Sequence, residues 1–374
     1  MATAKAAVMP DFNRPLEIRE YPLPEEIEPG AVLVKVEMAG ICGTDVHLWK
    51  GQLPIPRPII LGHETVGTIV KLGEGVETDW TGAPLREGDR VAWYAGRLCG
   101  QCYYCVQKRQ PTRCLKRKAY GITYNCDLSP HFLGGYAEYH YLLPGSAIFK
   151  LDDLATEMVV GAGCALNTAV HGIERMGIGW GDTVVIQGSG PVGLAALAVA
   201  KSAGALTTIM IGGPAHRLEL AKVFGVDHTI NIEEATDSAQ RIERVRELTG
   251  GYGADAVIEC VGLPVVVPEG LEMCRDGGKY LVLGHYGDAG PTAINPHVIT
   301  RKQLTVYGAW ASEPRHMAMA LEFLRRAGDR FPFDRLISHR FPLERAAEAL
   351  EATARWTSIK SAIVPGGSPH AHTS

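Results

Sequence analysis

The rhythm of apolar and polar positions changes along this chain, and the change divides it. Through the first third, short alternating runs are broken by Pro and Gly, at Pro15 to Arg19, Ala31 to Glu37, Gly67 to Leu72 and Asp89 to Trp93. A period of two bounded by turn formers predicts half-buried strands, so this part reads as an irregular, mostly antiparallel β body. Gly134 to Tyr139 leads into one more strand-like segment, which ends at Pro144, and from Asp152 the residues turn small and helix-forming. Asp182 to Gln187 is a continuous β-branched run, the pattern of a strand buried on both faces. Strands then recur at Thr207 to Ile211, His228 to Ile232, Asp255 to Glu259, Lys279 to Leu283 and Leu304 to Tyr307, with helical runs between them at Leu194 to Ala203, Arg217 to Phe224 and Ala239 to Leu248. Six strands with crossovers suffice for a doubly wound parallel sheet. A helix at 313–327 and a strand at Ile337 to Phe341 return toward the first body.

A length of 374 residues suits two domains, or one with a large insertion. The composition, 46% hydrophobic and 21% charged, is that of an ordinary globular protein. A net charge of −4 offers no global attraction to nucleic acid or anionic membranes. The N-terminal apolar run is too short for a signal peptide, and the longest apolar stretch is interrupted by Lys201, so the expectation is a cytoplasmic protein with no membrane partner. In that compartment the nine cysteines read as ligands, catalytic groups or buried thiols rather than disulfides. The tail, 365–374, reads as disordered, with its histidines solvated.

The chemistry concentrates in Gly40 to Glu64, where Cys42 and His63 stand at the ends of a Pro-rich loop and Thr44, Asp45 and His47 follow the cysteine closely. Zinc takes sulfur and nitrogen donors together, and a catalytic site needs three protein ligands with one position open. Cys164, at the start of the helix leading into the second domain, is the nominated third ligand. Cys99, Cys102, Cys105 and Cys114 are spaced to wrap one ion as a closed four-sulfur structural site. The basic residues around them read as a solvated surface, because no recognition-type helix follows. Between the buried strand and an apolar helix, Gly188-x-Gly190-Pro191-Val192-Gly193 becomes a dinucleotide fingerprint, with glycines admitting a pyrophosphate to a helix N-terminus.

Together these motifs make the chain resemble, from about Ala6 to Val364, the zinc-containing medium-chain dehydrogenase/reductase family of alcohol dehydrogenases. The resemblance implies an α/β protein: a GroES-like, mostly-β catalytic domain at 1–165 with a structural zinc lobe at about 95–118, a Rossmann domain with a doubly wound parallel sheet at 166–308, and a return to the catalytic domain at 309–364. The active-site cleft would lie between the two domains. It implies two zinc ions per chain, one catalytic on Cys42, His63 and Cys164, and a nicotinamide dinucleotide. Asp45 would orient the ligand histidine, Glu64 would sit behind the metal, and Thr44 and His47 would relay the alcohol's proton to solvent. The implied reaction is hydride transfer from a zinc-bound alkoxide to NAD(P)+. Thr168, Gly212 and Arg217 would join the glycine loop at the cofactor. Gly212 stands where relatives carry an acidic residue for the adenosine ribose, so the nucleotide is left as NAD(P), leaning to NAD+, with Lys360 a candidate pyrophosphate contact.

In the polyol-dehydrogenase branch a glutamate usually serves as the third ligand, so Cys164 favours the alcohol-dehydrogenase style of site. Trp49, Leu53, Trp93 and Trp310 are nominated for an apolar substrate pocket, each with the alternative of being a core residue. A homodimer or homotetramer acting on a small alcohol or carbonyl compound is implied, with no nucleic-acid partner. The rival readings are a polyol or threonine dehydrogenase on the same scaffold, a zinc-free reductase of the superfamily, and a non-catalytic zinc- or nucleotide-binding protein.

Overall fold

The computed structural model describes residues 2–367, so 368–374 of the expected disordered tail lie outside the described residues. The chain forms two compact units. The first comprises Met1–Cys164, Glu313–Gly328 and Phe333–Ser374; the second comprises Ala165–Ser312 and Asp329–Pro332.

The first unit is built on a seven-stranded sheet. Its order is Ile148–Lys150, Arg90–Trp93, Glu64–Leu72, Val32–Gly40, Lys360–Ile363 and Ile337–Phe341, with Tyr139–Leu142 also pairing to Val32–Gly40. All these pairings are antiparallel except the last two strands of the path, which run parallel. Val32–Gly40 is buried along nearly its whole length and sets the register of the site, because Gly40 pairs with Glu64 on one side and with Ala362 on the other. A second sheet of Glu17–Pro22, Thr3–Met9 and Ile59–Ile60 closes over the core. The four-cysteine lobe hangs on a two-stranded ribbon, Gly96–Arg97 with Lys118–Ala119, and holds a four-residue α-helix, Tyr103–Val106, with no buried residue, and a 3-10 turn, Pro111–Arg113, that buries only Thr112. Such a lobe cannot fold on its own hydrophobic core.

Two features of this unit were not visible in the periodicity. Gly43–Trp49, read as loop, is a helix whose N-cap is Cys42. The Asp45 carboxylate accepts from the Cys42 amide at 2.8 Å while Cys42 Sγ accepts weakly from the Thr44 amide at 3.5 Å, so the chemistry-bearing residues themselves start the helix. The helical stretch Thr156–Met176 is broken at Gly163, whose φ of 46° and ψ of −147° lie outside helical space.

The second unit is a six-stranded parallel sheet ordered His228–Asn231, Thr207–Gly212, Thr183–Gln187, Ala254–Glu259, Cys274–Val282, Thr305–Gly308. The order reverses at Thr183–Gln187, the point beyond which doubly wound sheets bind ligands. There the chain turns through Gly188 into the helix Pro191–Ala203. A Cβ at Gly193 would lie 1.9 Å from the Gly188 carbonyl oxygen, so only glycine lets helix and strand approach this closely.

Candidate active site and metal centres

All three nominated catalytic ligands belong to the first unit, and the fold brings them together. Cys42 Sγ and Cys164 Sγ are 3.4 Å apart, and one donor atom each of Cys42, His63, Glu64 and Cys164 lie within 4.8 Å of one another. Zinc bonds of about 2.3 Å to sulfur and about 2.0 Å to nitrogen put tetrahedral donors roughly 3.3 to 3.8 Å apart, so this constellation fits the ion. The cysteine brought from afar is placed by the break at Gly163, which lets the chain restart a helix at Cys164.

The second layer is dense. His63 Nδ1 faces Asp45 Oδ1 at 3.2 Å, which leaves Nε2 for a metal. Asp45 is fully buried and also accepts from the Tyr136 hydroxyl at 2.9 Å. Burial disfavours the charge on His63, yet Asp45 and then Cys42 hold its pKa well above the usual histidine value. Cys42 is drawn down to about 5, chiefly by its hydrogen bond with Cys164 and against its own burial, whereas Cys164 is pushed well up by that bond and by burial. Burial and the neighbouring Asp45 also push the Tyr136 phenol well up, so it remains a donor.

Glu64 is buried, with Oε1 accepting from the Cys164 amide at 2.7 Å and Oε2 2.7 Å from Lys360 Nζ. Burial raises its pKa, but Lys360 and then His63 bring it below the ordinary carboxylate value. The Lys360 side chain is 2% exposed and its ammonium faces this carboxylate. Tyr136 and the Lys360–Glu64 pair were missed as parts of the site. The only sequence signal for Tyr136 was its place in Gly-Gly-Tyr-Ala-Glu, and for Lys360 there was none.

Thr44 lies half-buried in the first turn of the helix, while His47 is exposed in its last turn with Nδ1 against Gln52 Oε1. In the lobe the four cysteines are unbridged and again have sulfurs within 4.8 Å of one another, with Cys102 to Cys105 and Cys99 to Cys114 each at 3.5 Å. Backbone amide bonds from Leu115 and Cys105 draw Cys102 down to about 6.

In the second unit, a Cβ at Gly212 would fall 2.4 Å from Ser189 Oγ, so the expected carboxylate position has no room for a side chain. Arg217 is 6% exposed in the helix Ala215–Val223, with its Nη1 3.9 Å from where a Cβ at Gly190 would stand. Burial brings its guanidinium below its ordinary pKa. Thr168 is half-buried within Thr156–Met176.

The four nominated pocket residues are not gathered in one unit. Trp93 is 4% exposed with its ring 4.6 Å from that of His140, a core aromatic of the first unit. Trp49 donates from Nε1 to the Arg14 carbonyl at 2.7 Å, and Leu53 packs half-buried against the same core. Trp310 lies in the second unit, stacked on Tyr286 with centroids 5.2 Å apart and donating to its carbonyl.

Residues 28–153 match the family model described as the alcohol dehydrogenase GroES-like domain, and 191–326 match the zinc-binding dehydrogenase model. The chain is 39% identical to 5-exo-hydroxycamphor dehydrogenase of Pseudomonas putida, over 97% of this chain and 99% of that protein. An alcohol dehydrogenase of Thermotoga maritima superposes with a TM-score of 0.92 at 34% identity, covering 97% of this chain and 100% of that one. A Sinorhizobium meliloti structure bound to NADP superposes with a TM-score of 0.85 at 28% identity, covering 98% and 100%. The chain belongs to the zinc-binding alcohol dehydrogenase family. This dehydrogenase is an oxidoreductase acting on CH–OH groups. It interconverts an alcohol and its carbonyl compound with zinc and a nicotinamide dinucleotide. Among its described residues no helix is long and apolar enough to cross a membrane.

Proposed function

We propose that each chain carries two zinc ions, a catalytic one on Cys42, His63 and Cys164 and a structural one on Cys99, Cys102, Cys105 and Cys114. The observation that carries this is the meeting, within 4.8 Å, of donors more than a hundred residues apart, with both oxygens of the neighbouring Glu64 engaged elsewhere. When bound, the catalytic ion supplies a Lewis acid for the substrate oxygen. Asp45 fixes the tautomer of His63 by accepting its Nδ1 proton. Thr44 Oγ1 would accept the alcohol's proton while passing its own on through the nicotinamide ribose, and His47 would release one to solvent from Nε2, since its Nδ1 is held by Gln52. His47→Ala is then expected to lower turnover modestly and shift its pH dependence with metal content unchanged; an unaltered pH profile removes His47 from the relay.

Gly188, Gly190, Pro191, Val192 and Gly193 receive the pyrophosphate at a helix N-terminus, with Thr168, Gly212 and Arg217 beside the cofactor. Gly212 raises no negative bar to a 2′-phosphate, but the burial of Arg217 withholds its cation from one, which supports a preference for NAD+. The substrate is an apolar alcohol or ketone. The Pseudomonas relative is named for a bicyclic one, and Cys164 in place of a glutamate ligand speaks against a polyol. A cytoplasmic homodimer or homotetramer is the proposed working form. Zinc stoichiometry, followed by steady-state rates for a panel of apolar alcohols and polyols with both nucleotides, tests the reading. Fewer than two zinc ions per chain, or polyols outrunning apolar alcohols, would overturn it, and a strong preference for NADP+ would reverse the cofactor assignment.

A further inference from the structure

We propose that Lys360 is a positioning residue that holds the Glu64 carboxylate off the metal and so keeps the fourth coordination position open to substrate. The inference rests on the assignment of Cys42, His63 and Cys164 as zinc ligands.

Glu64 has the means to be a ligand itself. It follows His63 directly, one of its carboxylate oxygens lies within 4.8 Å of the two sulfurs and the ring nitrogen, and carboxylates bind zinc readily. A closed set of two thiolates, an imidazole and a carboxylate leaves no place for an alcohol. What restrains Glu64 is visible: Oε1 accepts from the Cys164 amide at 2.7 Å, and Oε2 is 2.7 Å from Lys360 Nζ, with side-chain exposures of 1% and 2%.

The backbone is hollowed to admit this pair. Gly40 lies opposite Glu64 in the sheet, and a Cβ there would come within 2.8 Å of Glu64 Oε2 and 2.9 Å of Lys360 Cε. At Gly163 a Cβ would stand 2.3 Å from Glu64 Oε1 and 2.5 Å from Lys360 Nζ. Stability alone is a poor reason to build such a chamber, since well-packed hydrophobic residues replace buried ion pairs at no loss or with gain.

Charge supplies the better reason. Two thiolates and Glu64 bring three negative charges into one buried place, of which zinc balances two and Lys360 the third; Asp45 is served separately by the Cys42 amide, the Tyr136 hydroxyl and His63. Without the ammonium, a buried carboxylate is left uncompensated, and turning onto the cation is its nearest relief.

The test replaces the catalytic zinc by cobalt(II) in the full-length protein and compares Lys360→Met, Lys360→Arg and the double variant Lys360→Met with Glu64→Gln. Lys360→Met should keep a full complement of metal, show displaced cobalt d–d bands and lose roughly tenfold or more in kcat. Lys360→Arg should keep the parental spectrum. The double variant should recover that spectrum and most of the lost turnover, because an amide has no charge to bring to the metal. A parental spectrum in Lys360→Met, or a double variant no better than the single, overturns the proposal. Should Lys360→Met not fold, Lys360→Gln carries the same expectations. Metal binding that survives Cys42→Ala and Cys164→Ala unchanged would instead remove the zinc assignment, and the proposal with it.

Discussion

Asp45→Asn is the substitution that most directly probes how this centre is held. Asp45 is fully buried, and its two oxygens serve three donors: Oδ2 accepts from the Cys42 amide at 2.8 Å and the Tyr136 hydroxyl at 2.9 Å, and Oδ1 from His63 Nδ1 at 3.2 Å. An asparagine keeps the shape but has one acceptor oxygen. Left toward Cys42 and Tyr136, that oxygen keeps two bonds and turns the amide NH2 on His63 Nδ1. His63 must then carry its proton on Nε2, the atom a metal needs, or leave its position. Loss of such an outer partner costs about 10- to 100-fold in metal affinity, or about 1.4 to 2.7 kcal/mol. Competition with a chromophoric chelator reads this as weakened binding of one zinc per chain, while the ion on the four-cysteine lobe stays unaffected. Equal affinities in the two proteins would refute the claim that Asp45 governs the His63 tautomer.

Gly163→Ala places a methyl group 2.3 Å from Glu64 Oε1 at a backbone φ of 46°, so it should destabilise by about 2 to 4 kcal/mol and lower Tm by several degrees in calorimetry. Cys102→Ser should strip zinc from the lobe, which holds no buried residue in its helix, and leave 95–118 open to limited proteolysis while the ligands around Cys42 keep their ion. Asp79 is held below its ordinary pKa: burial opposes this, but the Lys150 amide and then Thr81 and Ala83 outweigh it. A depressed folded-state pKa contributes stability above the unfolded value, near 4, and loses it as pH falls through the folded one. Urea melts of Asp79→Asn should therefore show a deficit of about 1 kcal/mol at pH 7 that narrows below about pH 4.

What the sequence made legible follows from range. The parallel strands of the second unit announce themselves because a strand buried on both faces needs a continuous apolar centre, as Val184 to Ile186 and Ala256 to Ile258 supply. The four-cysteine lobe is legible because its donors fall within sixteen residues of one another. The helix Gly43–Trp49 is not, since seven residues give too few turns for a period and its start rests on a cysteine, an uncommon N-cap. Trp93 is open to both readings in sequence because aromatic residues serve as lining and as core; in the structure its ring lies beside that of His140. Lys360 was read for its charge alone, and a charge seen in sequence carries no sign of whether it faces solvent or a buried partner.

The same contrast explains why the site is assembled as it is. Cys42 and His63 lie twenty-one positions apart and are fixed by local devices: a helix cap, and the residue just before a strand whose first member, Glu64, pairs with Gly40. Cys164 and Lys360 come from far along the chain, and each is locked to Glu64, one through its amide and the other through its ammonium. Glu64 is thus the residue through which the distant halves of the centre are registered against the local one. A change at Glu64 should be felt in the placement of Cys164 as well as in charge, so Glu64→Gln, which retains one acceptor for the Cys164 amide, should preserve more metal affinity than Glu64→Ala, which retains none.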